Sequence, residues 1–154
     1  MNALHWYLVL HITGFTLMAG TIAADFAINR RLGKYLLTDK NKAMSMLEGA
    51  AGFPALIGLG GLLLLTTGIG MVILFKGAVA RMLWFRIKMI LVVLVILNGS
   101  LVLRRQAGRL RVLLTENGNG GNNQILTLRR TMSVFHVIEL LLFLVIFFLS
   151  VFQF

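Results

Sequence analysis

Four long apolar runs govern what this chain can fold into: they lie at about 4–28, 50–75, 82–103 and 132–154. A helix needs about 20 mostly apolar residues to cross roughly 30 Å of hydrocarbon, and each run is that long. Transmembrane β-strands are about half as long and alternate in polarity, which none of these runs does. Hydrophobic residues make up 58% of the 154 positions, charged residues 13%, and there is one proline, a balance foreign to soluble domains. The expected fold class is therefore all-α: a single integral-membrane domain, a four-transmembrane-helix bundle. Its two long loops, at about 29–49 and 104–131, lie on one side.

The placement of charge sets the expected orientation. Arg30, Arg31, Lys34, Lys40 and Lys42 fall in the first long loop, and Arg104, Arg105, Arg109, Arg111, Arg129 and Arg130 fall in or beside the other. By the positive-inside rule this side is cytoplasmic and both chain ends are outside, an N-out/C-out arrangement. The positive charges follow the first run, whereas a cleavable signal peptide has them in front, so a retained span is expected. A leader rich in arginine and serine is lacking, which favours a bacterial inner membrane over an organellar one. The net charge of +10 is explained by topology, and no nucleic-acid partner is expected. The stretch Arg104–Leu114 could continue the third helix along or beyond an anionic leaflet surface. Glu116–Gly121 is rich in turn formers and is expected to be a mobile loop. The absence of cysteine excludes disulfides and thiolate metal sites.

Function is sought among polar residues at membrane depth, because each is costly there unless paired or working. The first span holds His5, His11 and Asp25, the third Arg86, Lys88 and Asn98, and the fourth His136 and Glu139. His11, Gly14, Met18 and Asp25 fall along one helical stripe, which is expected to face the bundle. His11 and Lys88 each lie about seven residues into their spans, hence at one depth, roughly 10 Å below the outer surface. His136 and Glu139, three residues apart, are neighbours on the fourth helix, where the glutamate could orient the imidazole. His136 lies roughly 9 Å from the inner edge, so sharing a ligand with His11 would demand helix tilt. Plainer roles stand beside these: interhelical hydrogen bonds for the histidines, snorkelling for Arg86 and Lys88, an aromatic belt around His5. The scattered methionines read as packing, and the glycines of the second span as sites of close helix approach.

HITGFTLMAG in the first span, WFRIKMILVVLVILNG at the third and FHVIELLLFLVIFFLSVFQF at the end resemble a family of four-helix membrane proteins that includes the haem-binding type of protoporphyrinogen oxidase. More distantly the chain is similar to the membrane domains of copper-resistance-type proteins. The resemblance implies a b-type haem, with His11 as a ligand and Lys88 as a functional, catalytic lysine. The family's Leu-Pro-Arg segment is replaced here by IAADFAINRR, its Tyr-His pair by Leu97 and Asn98, and its Lys-Pro by Phe152 and Gln153. Neutral imidazole is a common axial ligand of haem iron, which makes His11 and His136 the candidate ligands. Arg86 is the candidate partner of the haem propionates.

Three classes of function follow. The first is a haem b redox protein, either an oxidoreductase of the protoporphyrinogen oxidase kind or an electron carrier working with a quinone or a redox partner protein. The second is a transport or metal-handling module, with a path joining Asp25, Asn98 and Glu139. The third is an accessory subunit of a larger membrane complex. The bilayer is the expected surrounding in all three, and a homo-oligomer is compatible with each.

Overall fold

The structure, a computed structural model, describes residues 3–36, 38–115 and 121–151. Among the described residues it is all-helical, without strands. Helix α1 spans Ala3–Tyr35, α2 Lys40–Gly49, α3 Phe53–Leu74, α4 Leu83–Leu97, α5 Arg104–Thr115 and α6 Gly121–Val151. A short 3₁₀ turn, Val79–Arg81, precedes α4, and a π-helical segment, Asn98–Leu103, joins α4 to α5. Four helical stretches are long and apolar enough to cross a membrane: α1, α2 with α3, α4 through α5, and α6.

The helices run further than the apolar runs. At about 1.5 Å per residue, the 33 residues of α1 reach about 50 Å, beyond the ~30 Å that hydrocarbon requires. Its last two turns carry Arg30, Arg31 and Lys34. The stretches 29–49 and 104–131, read from hydropathy as loops, are thus largely helical, because polar residues with good helix propensity continue or restart each helix. Asp39 restarts the chain as N-cap of α2, its carboxylate accepting from the Lys42 N–H at 3.0 Å. Pro54 sits in the first turn of α3, where its missing N–H costs nothing. The expected mobile loop lies, but for Gly121, outside the described residues, as do Phe152 and Gln153.

The bundle closes as a ring in which α1 packs on α3 and α6, and α4 packs on α3 and α6. The α1–α3 contact is the most extensive, for a local reason. A Cβ added at Gly14 would lie 3.0 Å from the Gly60 carbonyl oxygen, and one at Gly60 2.9 Å from that of Gly14, so the two backbones touch where both helices lack a side chain. A mid-bundle core of Met18, Ile22, Ile57, Leu64, Val92, Val95, Phe143 and Ile146 fills the interior. A second layer, including Leu32, Leu36, Ala43, Leu47, Leu110 and Ile125, seals the end that carries the basic residues, and α2 and α5 contribute to it. Large apolar side chains such as Ile12, Leu62, Leu83, Ile90 and Leu141 point outwards, as lipid-facing residues do.

At Lys76 and Gly77 α3 ends with both residues at positive φ, 52° and 77°. The Gly77 N–H reaches the Val72 carbonyl at 2.9 Å and the Lys76 N–H that of Ile73 at 3.0 Å, the paired bonds of a Schellman stop. That stop turns the chain into the short link to α4.

Candidate functional site

Two polar centres lie on opposite sides of the mid-bundle core. The first opens off a cavity of about 650 Å³ away from the basic end, walled in part by His11, Phe15, Gly68, Met71, Lys88 and Phe147. Helices α1 and α4 thus bring His11 and Lys88 to one chamber, as their matched depths led one to expect. The volume falls within the ~300–1,000 Å³ of pockets that hold cofactor-sized ligands.

A hydrogen bond anchors the ring of His11 at Nδ1. Its Nδ1 lies 2.7 Å from the Thr67 hydroxyl oxygen, and that hydroxyl donates to the Leu63 carbonyl. With the hydroxyl proton directed at the Leu63 carbonyl, Nδ1–H is the donor to Thr67; with it directed at the ring, Nδ1 is the acceptor. In the first of these arrangements Nε2 keeps its lone pair, on a side chain that lines the cavity. This is how a protein prepares an imidazole for a metal centre: the remote nitrogen is anchored and the other becomes the ligand. Gly68 stands beside the ring, where an added Cβ would meet only the imidazole Cε1, at 3.9 Å. Arg86 does not line the chamber; it is exposed near the start of α4, with its Nε donating to the Ala80 carbonyl at 3.2 Å.

His136 occupies the other centre, with both ring nitrogens engaged. Nδ1 donates to the Met132 carbonyl at 2.7 Å, and Nε2 faces the Asp25 carboxylate of α1 at 3.2 Å. The side chain is 3% exposed. His11 and His136 are therefore not brought to a common chamber, and the nitrogen that a haem iron would need on His136 already has a partner. Glu139 does not orient the imidazole: Asp25 and the Met132 carbonyl do, one from across the bundle and one from the preceding turn. Glu139 instead points its Oε1 at Gly99, where an added Cβ would collide with it, and that oxygen has no hydrogen-bond partner.

Asn98 and the π segment complete this centre. The Asn98 side-chain amide donates to the Phe135 carbonyl of α6 at 3.2 Å, while Ser100 turns its hydroxyl back onto the Ile96 carbonyl. The wider π turn is rare and tends to mark functional sites. Between this centre and the basic end lies a cavity of about 320 Å³, with Asp25, Asn29 and His136 on its walls and the exposed Arg104 and Arg111 at its rim. Among the described residues, no three His, Asp or Glu side chains are arranged to hold a metal ion.

Thr67 and Asn29 escaped the sequence reading. A threonine in a helix ordinarily bonds the carbonyl one turn back, so its type carries no functional signal. Asn29 was visible only as a polar residue at the edge of the first run. His5 is exposed, as the belt reading requires. Compared with family models, characterised proteins and solved structures, the chain matches none.

Proposed function

We propose that this chain is a b-type haem protein of a membrane redox system, held in a bacterial inner membrane with both ends outside and the basic end in the cytoplasm. One observation carries the reading: His11, its Nδ1 anchored to the Thr67 hydroxyl, stands on the wall of a chamber shared with Lys88. The residues present fit the group, since a neutral imidazole, apolar and aromatic walls and a nearby cation are what a carboxylated macrocycle asks of a helical bundle. His11 would ligate the iron, and Lys88 would pair with a carboxylate of the haem or of a substrate. Arg86, near the start of α4, has guanidinium N–H groups to offer a propionate. A haem bound there would supply one-electron chemistry. Thr67 keeps the imidazole neutral at Nε2 and fixes its plane, and Phe15 and Phe147 exclude water. A quinone or a redox protein is the electron partner this reading calls for.

Purified protein should show a b-type spectrum, with a Soret band that sharpens on reduction, and His11→Ala should abolish it while His136→Ala retains it. Full haem occupancy in the His11 variant would remove the basis of the proposal.

A further inference from the structure

The centre built by Asp25, His136 and Glu139 takes no part in the haem reading, and its composition is unusual for this chain. Of five acidic residues, the two that lie within the spans meet here, from α1 and α6. Glu139 is 1% exposed, and its Oε1 is unpartnered. An ionised carboxylate with an orphaned oxygen at that burial would carry a desolvation cost of several kcal/mol, uncompensated by any donor.

Proton counting shows what the cluster holds. Met132 can only accept, so His136 Nδ1 is protonated. One proton then lies between Nε2 and Asp25, making that unit neutral as a whole. Among the described residues, the elements packed around it contribute no second cation at this depth: α3 offers Ile57 and Pro54, α2 Leu47, and the π segment Asn98 and Gly99. Arg104 and Arg111 of α5 stand at the cavity rim, with side chains exposed. Charge balance at this site would be met by one more proton, and the orphaned carboxyl of Glu139 is the group with room for it.

We propose that Asp25, His136 and Glu139 form an intramembrane proton-binding site, loaded from the basic end of the bundle through the cavity beneath Arg104 and Arg111. The ligand is a proton carried in by water. It enters at Asp25, which together with His136 lines the cavity, while Glu139 holds a proton on the dry side of the pair. Asn29 strengthens the route. It lies one turn beyond Asp25 on α1, lines the same cavity, is 8% exposed, and its Oδ1 is a buried acceptor without a hydrogen-bond partner. Gly99 is the structural condition for the site, since any side chain there would evict the Glu139 carboxyl. The site stands apart from the haem reading and survives its failure.

Infrared difference spectroscopy of the full chain in lipid nanodiscs tests this, comparing water with D₂O at neutral pH. A C=O stretch of a protonated carboxyl is expected, which moves on deuteration, disappears in Glu139→Gln, and shifts in protein grown on ¹³C-carboxyl glutamate but not on labelled aspartate. Labelling keeps the test decisive if the variant folds poorly, and it separates the signal from haem propionates. Ala51→Trp, which adds bulk to the cavity wall, should slow deuteration of that band at least tenfold. Absence of the band at neutral pH, or its assignment to aspartate, would overturn Glu139 as the proton carrier. Exchange as fast in Ala51→Trp as in the parent would overturn the route.

Discussion

The two histidines of this bundle share chemistry and differ in every bond they make. His11 spends one nitrogen on a threonine hydroxyl and stands on the wall of a large chamber; His136 spends both, on a carbonyl and a carboxylate, and is 3% exposed. On the proposed reading, one bundle makes a ligand from one imidazole and a charge partner from the other. What decides between them is the neighbouring helix: α3 brings a hydroxyl to His11, and α1 brings an acid to His136.

The largest expected effect that would break this contrast lies in stability. His136→Ala leaves the Asp25 carboxylate buried without its partner and should destabilise the fold by about 3–5 kcal/mol. His11→Ala loses one neutral interhelical hydrogen bond, worth about 0.6 kcal/mol on average in membrane bundles. Denaturant unfolding in mixed micelles measures both, and equal losses would mean that His11 is as structural as His136. Next in size are the glycines beside each centre. Gly99→Leu must push aside Glu139 and Ile57 and should cost about 1–3 kcal/mol, whereas Gly68→Ala meets only the His11 ring edge in ordinary contact and should be close to neutral.

Thr67→Val sharpens the comparison from the ligand side. It removes the acceptor for Nδ1–H at a cost of about 1 kcal/mol and frees the tautomer, so haem should bind more weakly and with a changed midpoint potential in redox titration. An unchanged potential would make the threonine a packing residue only. The smallest effect belongs to the basic end. The Asp39 carboxyl is held below the usual carboxylate range, first by the Lys42 backbone N–H it accepts, with the Lys42 side chain adding to this. A depressed acid contributes stability above its unfolded value and loses it as pH falls through the folded one. The start of α2 should therefore fray on acidification, seen as faster amide exchange around Lys42, while both histidine centres in the interior stay protected.

Much of this was legible in the sequence, and the parts that were not share a cause. Run length gave the spans, and depth matching brought His11 to Lys88, because both depend on distance along a helix axis. The Asp25–His136 pair depends on how two helices are rotated about their axes, and one sequence cannot supply that phase. The i,i+3 spacing of His136 and Glu139 suggested a bond that does not form, since Asp25 reaches the ring first. The helicity of α2 was missed because hydropathy detects what lipid tolerates and is blind to polar helix, although Asp39 as an N-cap three residues before Lys42 was there to be read; α5 continues the third span as the stretch from Arg104 allowed.

The π segment at Asn98–Leu103 has a consequence beyond lodging Glu139. Its wider turn takes up an additional residue, and each residue of an α-helix subtends about 100°. Everything after Leu103 is thereby rotated relative to α4, so Lys88 can address the chamber on one side of the core while Arg104 and Arg111 address the opposite cavity from a separately chosen angle. Deleting one residue within this segment would act like slipping a gear tooth, turning the arginine-bearing half by about a quarter turn and leaving the lysine-bearing half in place. The polypeptide is in this respect two instruments on one shaft, each with its own dial.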